Sequence, residues 1–446
     1  MIRSKPLARP TMGRLSAIWL AVWCLAGLGM GSGIAQAAEP AAALQDAEAP
    51  AAPAEAGKPC PEKPSTEVEP PLPPETPLLM EAWDAVGLKK PLDSIGLLTY
   101  GWVESGFMGR LTGGYHPLPL RVFDGIKPNN LLLNQMKLTI ERPIDPTKTF
   151  DLGGRVDFLY GSDARSMHSL GLTDTVCGPN ETNEVDLEQL YIQVFVGKGN
   201  KEGEGLDVTF GKLTSPLGYE ATDAPCAPLY SRGLLFNSGP FALTGIKANY
   251  TFGPQASAYV AVVRGWDVFN DNNDAWSYAV GGTLNTKEQV GDAPRASLLV
   301  NVITGPEQKD NVRDHRTLTD MTVIYRWNEK LSEALNFDYS TEQHGAGPKA
   351  SHGYGLAHYL QYAFADNVLG TWRAEWFRDA DGVVTGVQGN LYEMTWGVSV
   401  TPLPKHPILK NLIVRPEIRW DWTDAEGVFG GRNDQLTAGF DVIFKF

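Results

Sequence analysis

The chain has 446 residues, 43% of them hydrophobic and 20% charged, with a formal charge of −14 at pH 7 and a mean hydropathy of −0.20. So acidic a balance excludes a nucleic-acid binder, which needs a basic surface. Beyond residue 38 no apolar run is long enough for a spanning helix, which leaves a soluble exported protein or a closed barrel, since in lipid every backbone polar group must pair internally.

Arg3, Lys5, Arg9 and Arg14 precede the apolar stretch from Leu15 to Met30, and Ala35-Gln36-Ala37 offers a small-x-small cleavage site. That order predicts a signal peptide over residues 1–38, and its removal takes the formal charge from −14 to −18. Residues 39–77 are rich in Pro, Ala and Glu and cannot bury enough apolar surface to offset chain entropy, so a disordered periplasmic segment is expected there. A short helix or linker is expected over 78–94.

From residue 95 to 446 the pattern becomes one of segments of alternating apolar and polar residues, the signature of transmembrane strands. In Leu412–Trp422 the set Leu412, Val414, Pro416, Ile418, Trp420 and Trp422 opposes Arg415, Glu417, Arg419 and Asp421. Pro416 is read as marking a bulge. About sixteen strands are expected, within a range of 14–18. They begin near Ile95, Leu131, Phe150, Leu187, Gly205, Phe241, Ala256, Ser277, Arg295, Thr317, Leu331, Tyr354, Val368, Leu391, Leu412 and Gln435. Even-numbered strands end mostly in short turns and odd-numbered ones in longer loops, as bacterial outer-membrane barrels require. Tyr100, Trp102, Trp327, Trp372, Trp376, Trp420 and Trp422 lie near strand ends and are read as interfacial girdles. The fold class is thus an all-β, antiparallel up-and-down transmembrane barrel. About sixteen strands enclose an aqueous lumen.

The final strand, QLTAGFDVIFKF, places Leu436, Ala438, Phe440, Val442, Phe444 and Phe446 on one face. An alternating strand ending in an aromatic resembles the assembly signal of outer-membrane proteins. Expected partners are therefore outer-membrane lipid, the barrel assembly machinery, and small polar solutes or ions.

The stretches YGWVESGFMGR, GKLTSPLGYE and PLYSRGLLFNSGPFALTGIKANYTFG resemble the OmpL-like β-barrel porin-2 family, with similarity over most of residues 95–446. The resemblance implies a channel-forming barrel of the outer membrane and brings no catalytic residues. Homotrimers are plausible by resemblance to general porins. In many of those the third outer loop folds into the lumen, which singles out Leu213 to Pro240 with Glu220, Asp223 and Arg232 as a constriction.

Opposed charges at a narrow point select ions and polar solutes; ordinary solvated loop charges are the competing reading. Lys247, Arg326, Arg373, Arg415 and Arg419, with Arg155, are expected to face inward as a basic ladder. Pairing with Asp157, Glu375, Glu417 and Asp421 would make them wall-stiffening ion pairs instead. Cys177 in the second outer loop and Cys226 in the third can form a disulfide in an oxidising compartment, with Cys60 left over.

The run Asp267 to Asp274 lacks the spacing of a calcium loop and is read as a solvated outer loop. His315, His344, His352 and His358 show no zinc spacing. No catalytic motif, metal or cofactor is expected. Two other readings compete with a passive pore: a barrel enzyme of lipase or protease type, and a structural or adhesion barrel in which the Pro/Ala/Glu segment matters more than the lumen.

Overall fold

The computed structural model describes residues 76–112, 119–176, 182–200 and 203–446. The expected signal peptide, residues 39–75 of the expected disordered segment, Cys60 and Cys177 lie outside the described residues. Alternation of side chains along each strand, with one face taking lipid and the other a polar interior, has one closed solution here. Sixteen antiparallel strands form a closed barrel.

In chain order they are β1 (Leu98–Arg110), β2 (Leu131–Arg142), β3 (Phe150–Gly161), β4 (Glu184–Gly197), β5 (Gly205–Thr214), β6 (Ala242–Gly253), β7 (Ala256–Trp266) and β8 (Ser277–Asn285). They continue with β9 (Ala296–Pro306), β10 (His315–Arg326), β11 (Leu331–Ala346), β12 (Lys349–Ala365), β13 (Val368–Asp379), β14 (Gly389–Val400), β15 (Leu412–Thr423) and β16 (Asp434–Lys445). Each strand pairs with its sequence neighbours, and β16 closes on β1 with Trp102 opposite Lys445. The Phe446 N–H and carbonyl extend that seam onto Gly101, both at 2.9 Å. Two helices, α1 (Leu78–Ala85) and α2 (Lys89–Ser94), precede the barrel, and a short α3 (Ala164–Met167) sits in the second long loop.

Connections alternate as the sequence pattern requires. Residues 143–149, 254–255, 327–330 and 366–367 make short turns at one end; residues 111–130, 162–183 and 215–241 make long loops at the other. Exceptions are the β11–β12 connection, a two-residue turn at the long-loop end where the strands themselves lengthen to 16 and 17 residues, and the longer connections 286–295 and 401–411 at the short-turn end. Outward positions such as Met136, Leu138, Ile192, Val260, Val280 and Ile418 are exposed and apolar, the band a hydrocarbon core needs.

Two expectations need correction. Tyr100 and Trp102 are not girdle residues. They share the parity of Glu104 and face the lumen, where Tyr100 Oη donates to Glu141 at 2.5 Å and Trp102 Nε1 donates to Gln135 Oε1 at 2.9 Å. A strand-end position says nothing about which face a side chain takes; parity does. By the same rule Trp372, Trp376, Trp420 and Trp422 face outward, the last stacked on Tyr392. Nor does Pro416 mark a bulge. The β15–β16 register runs unbroken through Pro416 opposite Phe440. On the other side, the β14–β15 register is unchanged between Gly397 opposite Glu417 and Val400 opposite Val414, with a gap in the ladder where a residue without an N–H would have to donate.

Candidate constriction site

The third long loop, residues 215–241, leaves β5 and returns to β6 with Ser215 N–H bonded to the Phe241 carbonyl at 2.9 Å. Between those points it runs inside the barrel. A backbone taken out of water must find a partner for its N–H and C=O groups. The inward residues of β13 and β15, with Gln135 of β2, supply partners for many of them.

Arg373 uses every guanidinium nitrogen. Nε donates to Glu393 at 2.7 Å, Nη1 to Glu220 at 2.6 Å and to the Ser231 carbonyl at 2.8 Å, and Nη2 to Glu393 at 3.2 Å. Arg415 Nη1 donates to the carbonyls of Ala224 and Ala227 at 2.8 and 2.6 Å, while its Nε holds Asp441 at 3.0 Å. Arg419 Nη1 donates to the Arg232 carbonyl at 2.5 Å, with Asp421 on its Nε at 2.8 Å. Glu417 accepts the N–H groups of Tyr230 and Ser231 at 2.9 and 3.1 Å, and Glu375 accepts that of Leu234. Arginine suits this work because its five donors sit in a fixed planar fork.

The loop's own charges complete the arrangement. Glu220 accepts the Gly233 N–H at 2.7 Å besides pairing with Arg373. Arg232 is turned back onto the carbonyls of Ala221, Thr222, Leu229 and Tyr230 at 2.9–3.2 Å, and its guanidinium lies 5.3 Å over the Phe123 ring. Asp223 pairs with Lys137 of β2 at 2.6 Å, and Lys137 also holds Asp157 and Glu188 at 2.9 and 2.7 Å.

The adjoining stretch of wall, from β6 round to β13, grips the loop by apolar contact. Tyr219, Leu234 and Leu235 pack with Leu299, Ile324, Ala334, Ala357, Tyr359 and Phe377, the two tyrosine rings 4.4 Å apart. Leu217 packs with Leu243, Tyr259, Ile303 and Leu318. Polar contacts to the loop on this side come from Asn301 Nδ2, which donates to the Pro216 carbonyl at 3.3 Å, from Asn336, which accepts the Tyr219 N–H at 3.3 Å, and from Asp338, which accepts from Ser238 Oγ. Inward glycines make room for the loop. A Cβ on Gly106, Gly355 or Gly397 would stand 2.4–2.8 Å from Tyr230, Leu235 or Leu229. Between loop and wall, Leu217, Glu220, Leu235 and Asp338 help line a cavity of about 20 Å³, room for one water.

Of the expected site residues, Glu220, Asp223, Arg232, Arg373, Arg415, Glu417 and Arg419 come together at this loop. All but Asp223 are at most 6% exposed, held by one another and by loop backbone rather than facing open water. Lys247 is inward on β6 but lies on the apolar side, 5.8 Å over the Tyr259 ring. Arg326 is not brought to the loop; it ends β10 at the short-turn rim and donates to the Pro294 carbonyl at 2.7 Å. Arg155 is inward on β3 and pairs with Asp157 at 2.9 Å. Cys226 lies exposed at the end of a 3₁₀ turn, Ala224–Cys226, within the loop.

The sequence reading missed the first long loop. Arg121 and Asp124 are buried, Arg121 Nε bonds Asp124 Oδ2 at 3.0 Å, and Arg121 Nη1 reaches Asp421 at 3.1 Å, so this loop also packs into the lumen. Phe123 joins it to the third loop through Phe236, with ring centroids 5.4 Å apart. A buried Arg-x-x-Asp in a loop carries no periodicity, and no sequence signal marked it.

The run Asp267–Asp274 is likewise not simply solvated. Asp267 is half-buried and accepts the N–H groups of Phe241 and Ala242 at 2.9 and 2.8 Å, fixing the exit of the third loop. Burial pushes its carboxyl up to about 7 against the pull of those two N–H donors. Glu307, in the β9–β10 loop, is also raised to about 7 by burial and accepts from Ser277 and the Trp266 N–H at 2.6 and 2.8 Å. Among the described residues no cluster of His, Cys, Asp and Glu could hold a metal.

Comparison with known proteins agrees with this geometry. The family model described as "Putative beta-barrel porin-2, OmpL-like" matches residues 99–446. No curated protein sequence matches the chain. Among solved structures, Pseudomonas putida OprB shares the fold at a TM-score of 0.53 and 13% identity, covering 81% of this chain and 97% of its own. The outer membrane channel DcaP of Acinetobacter baumannii does so at 0.51 and 12%, covering 78% and 97%. The chain belongs to the OmpL-like β-barrel porin-2 family and is a channel-forming porin of the Gram-negative outer membrane.

Proposed function

We propose that residues 215–241 form the constriction of a narrow pore, and that small hydrophilic solutes and ions cross it by passive diffusion without covalent chemistry. The observation that carries this is the loop's double attachment inside the lumen, by Arg373, Arg415 and Arg419 on one wall and by the Tyr219–Leu235 cluster on the other. A loop held on both sides narrows the lumen without closing it by a domain. Such a pore has a small conductance. Among the described residues buried carboxyl groups outnumber buried guanidinium and ammonium groups, which favours cations over anions. Homotrimeric assembly belongs to the same proposal and is tested by native mass spectrometry of the detergent-solubilised barrel.

Purified protein in a planar bilayer should give small, ohmic single-channel steps, with a reversal potential in a KCl gradient displaced toward the cation value. A folded barrel that stays silent at every salt concentration would remove the pore reading and leave the enzyme or structural reading standing.

A further inference from the structure

We propose that residues 78–97 and the β14–β15 turn form a foot lying in the phospholipid headgroup layer at the short-turn end of the barrel. The inference rests on the outer-membrane placement of the family and is independent of the pore.

The first half of the foot is α1 and α2. Thr99, on the parity opposite Trp102, points outward from β1. There it meets α1: Trp83 Nε1 donates to Thr99 Oγ1 at 2.7 Å, and Thr99 Oγ1 contacts Met80 Sδ at 3.6 Å. Arg142, outward on β2, donates to the Ile95 carbonyl at 3.2 Å. These helices are therefore docked against the outside of the wall, not inside the lumen. Met80 is fully buried by that docking, yet Val86, Leu88 and Ile95 remain 48–65% exposed beside Lys89 and Lys90.

The second half is built from different sequence with the same chemistry. In the turn 401–411 Leu403 and Ile408 are about half exposed, with Lys405 exposed between them. Strands β15, β16 and β1 are consecutive in the barrel, so the two segments flank one sector of the same rim. Above them the outward wall continues with Trp396, Ile418, Met136 and Leu138, already exposed as the lipid-facing band. By contrast the turns Pro254–Gln255 and Asp366–Asn367 are tight and polar.

Exposed aliphatic side chains interleaved with lysines, next to a hydrocarbon-facing wall, suit the interface between acyl chains and phosphates. The apolar groups enter the acyl boundary and the ammonium groups reach phosphate oxygens. That continuity commits the surface to phospholipid rather than to a protein partner.

The test places the photo-crosslinker p-benzoyl-phenylalanine singly at Val86, Leu88, Ile95 or Ile408 of the full chain in outer membranes, with Glu81 and Asp84 as exposed controls. Heat-modifiable gel mobility checks that each barrel is folded. Phospholipid adducts at the four apolar positions, several-fold above the two controls, are the expected result. Adducts to a second copy or another protein at those positions would overturn the proposal, as would equal, solvent-like yields at all six. A pore that fails to conduct would leave this result untouched, so the two readings fail separately.

Discussion

The two walls that hold the third loop use opposite physics. On β13 and β15 the grip is ionic and directional: guanidinium groups and carboxylates, backed by Glu393 of β14 and Asp441 of β16, take the loop's carbonyl and N–H groups one by one. On β9–β13 it is largely apolar and non-directional, a cluster around Tyr219, Leu234 and Leu235. Buried charge is costly unless fully paired, so the ionic wall has a single low-energy register for the loop. The apolar wall tolerates small shifts with gradual loss. The difference teaches that position is set by one wall and adhesion by the other.

The largest expected effect comes from breaking the ionic grip. Arg373→Ala leaves Glu220 and Glu393 without their shared cation and should cost roughly 3–5 kcal/mol, the usual penalty for removing one partner of a buried pair. The loop should then leave its register, so single-channel conductance should rise while the barrel keeps its heat-modifiable mobility. Leu235→Ala on the other wall should cost about 2–5 kcal/mol of stability through the cavity it leaves. It should change conductance far less, because the polar register survives; equal changes in both variants would erase the distinction between the walls.

Gly397→Val fills the space taken by Leu229, where a Cβ alone would stand 2.4 Å from Cδ2. An overpacking cost of about 1–3 kcal/mol is expected, read as a lowered thermal midpoint. The smallest effect concerns pH. Asp267 and Glu307 titrate near 7 in the folded loops, above the ordinary value of about 4 for such carboxyls. Their folded values are raised, so their contribution is fully present below about pH 4 and is lost as pH rises through about 7. Thermal midpoints measured from pH 4 to 8 should decline along that window, and Asp267→Asn should flatten the slope.

Much of the fold was legible because the transmembrane strand is a two-residue repeat. The parity that separates Trp420 from Arg419 on β15 also separates Phe444 from Lys445 on β16. That repeat, with the alternation of turns and loops, located all sixteen strands. The girdle assignment failed at Tyr100 and Trp102 because proximity to a strand end replaced parity as the criterion. At the site, Arg373, Arg415, Glu417 and Arg419 were identifiable as inward charges, but what they bond was not. Their partners are main-chain atoms of residues 224–234, and a carbonyl leaves no mark in a sequence. Lys137 sits on a correctly located strand and went unremarked, since one inward charge resembles another until its neighbours are known. Inward glycines at 106, 355 and 397 were the missed signal, each a small residue facing a bulky one of the loop.

The pairing of β1 with β16 brings Trp102 opposite Lys445 and carries a consequence for the order of assembly. Until the last strand arrives, both margins of the growing sheet expose unpaired backbone groups and can recruit foreign strands. The third loop shares that wait. It follows β5, yet the arginines that seat it belong to β13 and β15. The carbonyls of Ala224, Ala227, Ser231 and Arg232 must stay hydrated while three quarters of the sheet is already laid down, and they dry only as the final quarter arrives. Seating of the loop therefore reports completion of the cylinder. Proteolytic sensitivity within residues 215–241 should fall late, in step with closure, rather than when its flanking strands first pair.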